Sequence, residues 1–296
     1  MPRWYITVAS FVMKKHLVIL AAFALVVFCG CNKITLSGHD ITKEFSINGT
    51  YTELEVSNGF DVTVNAAVSQ ITVTTDENVM PKVVVEKVGE KLKIYLKPLT
   101  INTGLDLKVE IPYNVDLRKV NLSGASEFHS DYGLAGGEVD VDMSGKSGFY
   151  SDIYADEVDI DMSGGSEFFG DIDADQIDMD LSGSSSIEGY VSAIDLDVNL
   201  SGGSDAILEG EVVKLEIELS GASRIVKKVF GNRYALACDY LEGSMSGGSE
   251  AYIHCDSRVC VDLSGASNLY YTGNGISSGC GSTTGGSSII HHPEGL

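Results

Sequence analysis

The stretch Glu157-Val-Asp-Ile-Asp-Met-Ser-Gly-Gly-Ser-Glu-Phe168 is followed nineteen residues on by Gln176-Ile-Asp-Met-Asp-Leu-Ser-Gly-Ser-Ser-Ser-Ile187. The two segments share one template of alternating apolar and acidic residues, a Ser-Gly-x-Ser phrase and a returning apolar residue. The phrase begins at Ser123, Ser144, Ser163, Ser182, Ser201, Ser220, Ser246 and Ser264, and a degraded copy is Thr284-Gly285-Gly286-Ser287. Successive spacings are 21, 19, 19, 19, 19, 26, 18 and 20 residues. A fixed period near 19 marks stacked structural repeats rather than a conventional globular core.

Counting from the first Ser as position 0, positions −5, −3 and −1 are apolar. They read Val139/Val141/Met143, Val158/Ile160/Met162, Ile177/Met179/Leu181, Leu196/Val198/Leu200 and Leu215/Ile217/Leu219. Position +5 is apolar again: Phe128, Phe149, Phe168, Ile187, Ala206, Ile225, Ala251, Leu269 and Ile289. Alternation with period two is the signature of a strand with one buried face. The Gly at +1 recurs in every copy, as a corner needing positive φ or close backbone approach requires. Each copy is read as a strand, a Ser-Gly corner and a shorter return segment. The spacing is too short for βαβ units, and identical register favours like stacked on like about 4.8 Å apart. The expected fold is all-β: a right-handed parallel β-helix or solenoid, with nine rungs spanning roughly 40 Å. The 26-residue spacing predicts an insertion around Phe230-Gly231-Asn232-Arg233.

Outward from the repeat, residues 45–117 form a β-rich N-terminal part without the phrase, with alternating runs such as Tyr51–Val56, Phe60–Val64, Lys91–Leu96 and Leu105–Ile111. Residues 118–290 hold the repeats, and residues 291–296, with His291-His292 before Pro293, read as a frayed tail. Residues 1–30 read as an export signal, in which a basic start at Met13-Lys-Lys precedes an apolar run. Met13 is the expected true start. Phe28-Cys29-Gly30-Cys31 resembles a bacterial lipobox. That resemblance implies cleavage before Cys31 and lipid on its thiol and new amino group, with residues 31–44 as the lipidated N-terminus and linker. The competing reading is a plain secretory signal.

The chain of 296 residues carries 20 basic and 42 acidic residues. Removing residues 1–30 takes away Arg3, Lys14 and Lys15 and no acid, leaving 17 against 42, a net charge of −25. Such a surface excludes nucleic acid and disfavours anionic lipid. Membrane attachment is expected through the lipid anchor instead.

Taken together, Phe60-Asp-Val-Thr-Val64, Ile71-Thr-Val73, Lys91-Leu-Lys-Ile94, Val109-Glu-Ile-Pro-Tyr113 and Leu122-Ser-Gly-Ala-Ser126, in that order, resemble the bacterial family described as putative auto-transporter adhesin, head GIN domain. The resemblance covers most of residues 45–225. It implies a secreted or lipid-anchored β-helical protein, with no catalytic residues to carry over.

The residues admit three chemistries. Asp140, Asp142, Asp159, Asp161, Asp178, Asp180, Asp197, Glu216 and Glu218 fall on two outward register positions. Residues 127–218 hold 24 acids against Lys146 and Lys214. Ca²⁺ could bridge the aspartates; the alternative is a solvated face that keeps the protein soluble. Cys260 and Cys280 each lie four residues before their repeat's position 0, so stacking would bring them within disulfide reach, and Cys238 with Cys255 is a second expected pair. A pectinase-like, Ca²⁺-dependent polysaccharide enzyme is the alternative that the β-helix shape invites, but shape alone does not assign function. His129 and His254 belong to no triad-like motif in the sequence. The resulting expectation is a non-enzymatic, envelope-anchored binding or adhesion module recognising a glycan or protein ligand. A purely structural envelope protein is the remaining alternative.

Overall fold

The computed structural model describes residues 33–100, 104–226 and 236–292. Among these residues there are twenty-two strands, one 3₁₀ turn at Met80–Lys82 and no α-helix. The fold is a β-solenoid of about nine turns with roughly 19-residue spacing. The leader with Cys31, and the insertion expected around Phe230, lie outside the described residues.

Strand pairing follows the repeat. Leu134–Met143 pairs in parallel with Ile153–Met162, placing Val139 beside Val158, Asp140 beside Asp159 and Met143 beside Met162. The same register runs on through Gln176–Leu181, Ser186–Leu200, Asp205–Leu219, Ala237–Met245 and Glu250–Leu263. Every −5, −3 and −1 side chain quoted above is buried, so the alternation is a true inward face. On the short strands the +5 column is buried too. Phe128, Phe149 and Phe168 stack through it with ring centroids 5.3 and 4.9 Å apart.

The corner is built from the phrase itself. Glycines at +1 hold φ between +65° and +83°, a region costly to residues with a Cβ. From Gly145 to Gly265 the carbonyl of this glycine accepts a backbone N–H from the next corner: Gly165 N to Gly145 O at 2.7 Å, Ser184 N to Gly164 O at 2.8 Å, Gly203 N to Gly183 O at 2.8 Å. The second Ser of the phrase is buried. Its hydroxyl donates to the carbonyl of the first, as in Ser166 Oγ to Ser163 O and Ser185 Oγ to Ser182 O, both 2.9 Å. A buried hydroxyl is thus satisfied locally and closes the turn.

The parallel ladder reaches beyond the phrase-bearing residues. Lys91–Leu96 pairs with Glu53–Val56, which pairs with Lys119–Leu122. Lys108–Ile111 pairs with Asp61–Val64, which pairs with Glu127–His129. The rung of residues 53–64 therefore sits between that of 91–111 and that of 119–129, out of chain order. Antiparallel strands finish this end: Asp40–Phe45 on Ile71–Asp76, Ile71–Asp76 on Lys108–Ile111, and Val83–Val88 on Lys91–Leu96. They occupy edge groups that an open parallel stack would leave available for aggregation. At the other end Ser288–His291 closes the ladder on Asn268–Thr272. His291, expected in a frayed tail, is held there: its ring stacks on Tyr271 at 4.4 Å and hydrogen-bonds Gly273 O at 2.9 Å.

A Cβ added at Gly183 would sit 2.6 Å from Gly164 O at a φ of +79°. Gly203 has its nearest such neighbour at 3.8 Å and no positive φ. Gly183→Ala should therefore cost about 2–4 kcal/mol in urea unfolding, and Gly203→Ala less than about 0.5 kcal/mol. Equal costs for the two would show that the corner does not set the stack.

Candidate functional site

Parallel stacking in register turns each outward position into a column along the solenoid. On the long-strand face position −4 gives Asp140, Asp159, Asp178, Asp197, Glu216 and Glu242, and position −2 gives Asp142, Asp161, Asp180, Asn199, Glu218 and Ser244. The seven aspartates singled out in the sequence are thus brought together as two adjoining ladders. Asn199 interrupts the second. Unit charges at this spacing repel by about 1 kcal/mol even in water.

Cations relieve that repulsion at the ends. Lys91 lies 3.3 Å from both Glu53 and Glu55, and Lys93 lies 3.1 Å from Glu55. Lys119 reaches Asp140 at 2.8 Å and Asp142 at 3.5 Å, and Lys214 reaches Glu216 at 3.0 Å. Among the described residues Asp159, Asp161, Asp178 and Asp180 have no such partner. Partial burial, then the carboxylates above and below, push Asp159, Asp161 and Asp197 above the usual carboxylate range. Asp140 and Asp159 also meet Glu138 in a group whose ligand oxygens lie within 4.8 Å of one another. Glu138 was not among the sequence candidates because position −6, though on the same outward side, changes type from copy to copy, reading Glu138, Glu157, Gln176, Asp195 and Lys214.

The −2 ladder is one wall of a groove of about 720 Å³ that runs along the corner. Its other wall includes the position-0 serines Ser144, Ser163 and Ser182. The serines that begin each corner thus stand beside the acids.

The short-strand face carries a second column that the sequence did not reveal as one. Position +6 stacks His129, Tyr150, Phe169, Glu188 and Ile207, and later Tyr252, Tyr270 and Ile290. His129 and Tyr150 lie 4.5 Å apart at 4°, and Tyr252 and Tyr270 lie 4.7 Å apart at 7°. Phe169 is 53% exposed. The signal was available, since these residues stand one after the buried +5 column, but a residue type that changes from rung to rung shows no repeat.

Among the described residues the four cysteines are thiols and stand as two adjacent pairs. Cys238 and Cys255 are register partners, and an irregularity after Cys238 absorbs the one-residue difference in their distance from the phrase. A hydrogen bond to Cys255, together with burial, pushes the Cys238 thiol up. Cys260 and Cys280 hydrogen-bond each other beside Arg258, and these two contacts draw Cys280 below its ordinary value.

His254 does find triad-like partners. It lies 2.7 Å from Thr272 Oγ1 and 3.3 Å from Asp256 Oδ2. Thr272 is only 4% exposed. A hydroxyl that substrate cannot reach does not serve as a nucleophile, so the group is a structural tie between neighbouring rungs.

A family model described as putative auto-transporter adhesin, head GIN domain, matches residues 50–191 and again residues 168–275. No curated protein matches the chain. Among solved structures, a putative lipid binding protein from Parabacteroides distasonis superposes with a TM-score of 0.60 at 19% identity, covering 88% of this chain and 100% of that one. A putative adhesin from the same organism gives 0.59 at 21% identity, covering 88% and 98%. A putative adhesin from Parabacteroides merdae gives 0.51 at 17% identity, covering 89% and 100%. At these identities the likeness establishes the fold.

The acidic ladder has a pH signature. Where a folded carboxyl is raised above its unfolded value, the folded chain holds protons that the unfolded chain has lost. The unfavourable charge is fully present at neutral pH and is relieved as pH falls through the raised values of Asp159, Asp161 and Asp197. The Tm should rise as pH is lowered from 7 toward the carboxylate range. It should turn down again at more acidic pH, where Asp256, held below its usual range by the Asn274 amide, takes up its proton. Asp159→Asn should raise the Tm at pH 7 by about 1–3 °C and lose that advantage in acid. A Tm unchanged by the substitution at pH 7 would mean that the ladder is fully solvated.

Proposed function

The chain belongs to the putative auto-transporter adhesin, head GIN domain family, and from that premise we propose that it is an envelope-anchored binding module. In this reading Cys31 carries the lipid that holds the protein at the outer membrane or cell surface. The solenoid is a rigid rod displaying the +6 column to a glycan or protein ligand, and no catalytic step is involved. The observation that carries the reading is the column itself. A strip of ring edges, aliphatic side chains and tyrosine hydroxyls about 40 Å long is amphipathic along its whole length. Tyr and Phe supply large contact area at low conformational cost, and Tyr adds a polar handle. An extended chain lying along the solenoid axis would meet ring surfaces at Tyr150 and Phe169 and again at Tyr252 and Tyr270, with Glu188 and Ile207 between them.

The oxygen-rich group of Glu138, Asp140 and Asp159 supports a second role. Ca²⁺ placed there would have the hard ligands it prefers and would remove the repulsion within the ladder. The serine-lined groove alongside would then be the Ca²⁺-dependent surface. The two faces separate in one experiment: a glycan and host-matrix array probed with the wild type, with Tyr150→Ala/Phe169→Ala and with Asp140→Asn/Asp159→Asn, in millimolar Ca²⁺ and in EDTA. Ligand signal should fall about tenfold or more in the aromatic variant. Loss in EDTA and in the aspartate variant alone would move the site to the acidic groove. Signal equal in all conditions would overturn both assignments.

We infer further that Cys238 pairs with Cys255, and Cys260 with Cys280, as disulfides in the exported protein. Export favours the oxidised form. Native bridges of this kind stabilise by about 2–5 kcal/mol. Mass analysis of non-reduced peptides from membrane-purified protein should find both bridges and an acylated Cys31 at the N-terminus. Four alkylatable thiols would reject the bridges, and an unmodified Cys31 would reject the anchor.

A further inference from the structure

One cluster stands apart from the acidic ladders and their groove, at the start of the +6 column, of which His129 is the first member. Asp61 lies beside Glu127 across the strands Asp61–Val64 and Glu127–His129, and Thr63 lies beside His129. Because Glu127 and His129 are two apart on one strand, their side chains emerge on the same outward face as Asp61. His129 Nε2 is 3.2 Å from Glu127 Oε2 and 3.6 Å from Asp61 Oδ1. One ligand atom from each of the three residues lies within 4.8 Å of the other two. The geometry points to a divalent transition-metal site of the Zn²⁺ class, formed by Asp61, Glu127 and His129.

Three observations support this assignment. A tetrahedral ion with bonds of about 2.0–2.1 Å separates its ligands by about 3.3–3.4 Å, close to the separations that His129 Nε2 keeps from the two carboxylates. The ring of His129 is fixed by its stack on Tyr150, so that Nε2 is aimed at the carboxylates before any ion arrives. Asp61 Oδ1 is shielded from solvent and receives no hydrogen bond, with His129 Nε2 at 3.6 Å as its neighbour, and a coordinated cation would satisfy it. The three side chains are otherwise half-exposed, which leaves an entry path and an open fourth position for water.

The chemistry also separates this site from the all-oxygen group on the acidic ladder. Imidazole with carboxylate suits Zn²⁺ and its neighbours, whereas oxygen-only sets suit Ca²⁺. Two carboxylates and a neutral imidazole carry two negative charges, matched by a dication. Lys108, the register neighbour of Asp61 on its other side, brings only one positive charge. The competing arrangement is a protonated His129 held between two carboxylates. A bound ion would tie the rung of residues 53–64 to that of 119–129, joining strands some 66 residues apart in the chain.

The test is titration of the full chain, purified without a polyhistidine tag, with Zn²⁺ by calorimetry and with Co²⁺ by absorption. The expected result is one equivalent of Zn²⁺, a tetrahedral Co²⁺ spectrum and a raised Tm. His129→Ala and Asp61→Asn should each weaken binding about tenfold or more and remove the Tm shift. Asp159→Asn/Asp161→Asn should leave the stoichiometry unchanged. No binding in the wild type would overturn the proposal, as would one equivalent bound equally well by His129→Ala.

Discussion

The structure depends on one backbone contact, repeated at each corner: the carbonyl of a left-handed glycine meeting the amide of the corner above. A Cβ at Gly164 would lie 2.5 Å from Gly145 O, and one at Gly221 would lie 2.5 Å from Gly202 O. The contact therefore demands glycine twice, once for φ and once for space. Because it is made to the same atom in successive rungs, it fixes the register of everything attached to it. A slip of one residue would turn the acidic ladder inward and the Val–Ile–Met face outward. The buried Ser at +3 reinforces the corner from within by donating to its own turn, and at Ser223 and Ser267 the hydroxyl also reaches a carbonyl of the neighbouring rung at 3.2 Å. Each rung thus closes its turn independently and stacks afterwards, which is the nearest-neighbour logic of a solenoid.

Register of this kind multiplies whatever is placed outside. Apolar and aromatic residues gain from it, since a ring above a ring buries two faces at once. Like charges lose: partial burial, and after it the neighbouring carboxylates, raise the proton affinity of Asp159 and Asp161. The lysines lie toward the two ends of the acidic columns, Lys119 between Glu53 and Asp140 and Lys214 beside Glu216, so the middle from Asp159 to Asp180 keeps its charge. A column of unneutralised carboxylates persists there beside a serine-lined groove. Solubility alone is served by charges of either sign interspersed, and this arrangement concentrates one sign on one face.

Much of this was legible in the residues, because a parallel stack converts sequence period directly into spatial coincidence. Val158, Ile160 and Met162 had to face inward together, and Asp159 had to meet Asp140 and Asp178. Cys260 had to approach Cys280. What stayed hidden was whatever the period does not carry. Residues 53–64 contain no Ser-Gly phrase, so nothing local shows that they enter the ladder between 91–111 and 119–129. Asp61 therefore could not be matched with His129 from spacing. The +6 column escaped for a different reason: its members share exposure and shape but not identity, and Glu188 and Ile207 break any repeat of residue type. The one-residue irregularity after Cys238 is likewise invisible until Tyr240 is seen facing Arg258.

The ends of a one-dimensional stack are where it frays, because a terminal rung has one neighbour instead of two. The two ends of this chain are built differently from its middle, in a way that fits this weakness. The first rungs carry the antiparallel strands, the ion pairs of Lys91, Lys93 and Lys119, and the Asp61–Glu127–His129 group. The last rungs carry both cysteine pairs, the His254 tie to Thr272 and Asp256, and the Tyr271–His291 stack. Between them, from about residue 134 to residue 225, the rungs hold mainly by corners, the phenylalanine stack and the aliphatic face, with the Arg224–Asp205 ion pair at 2.7 Å as a side-chain tie between neighbouring rungs. Side-chain cross-links are thus concentrated where the glycine corner is least able to hold the chain by itself. The middle, which carries fewer, is left free to display its two outer columns.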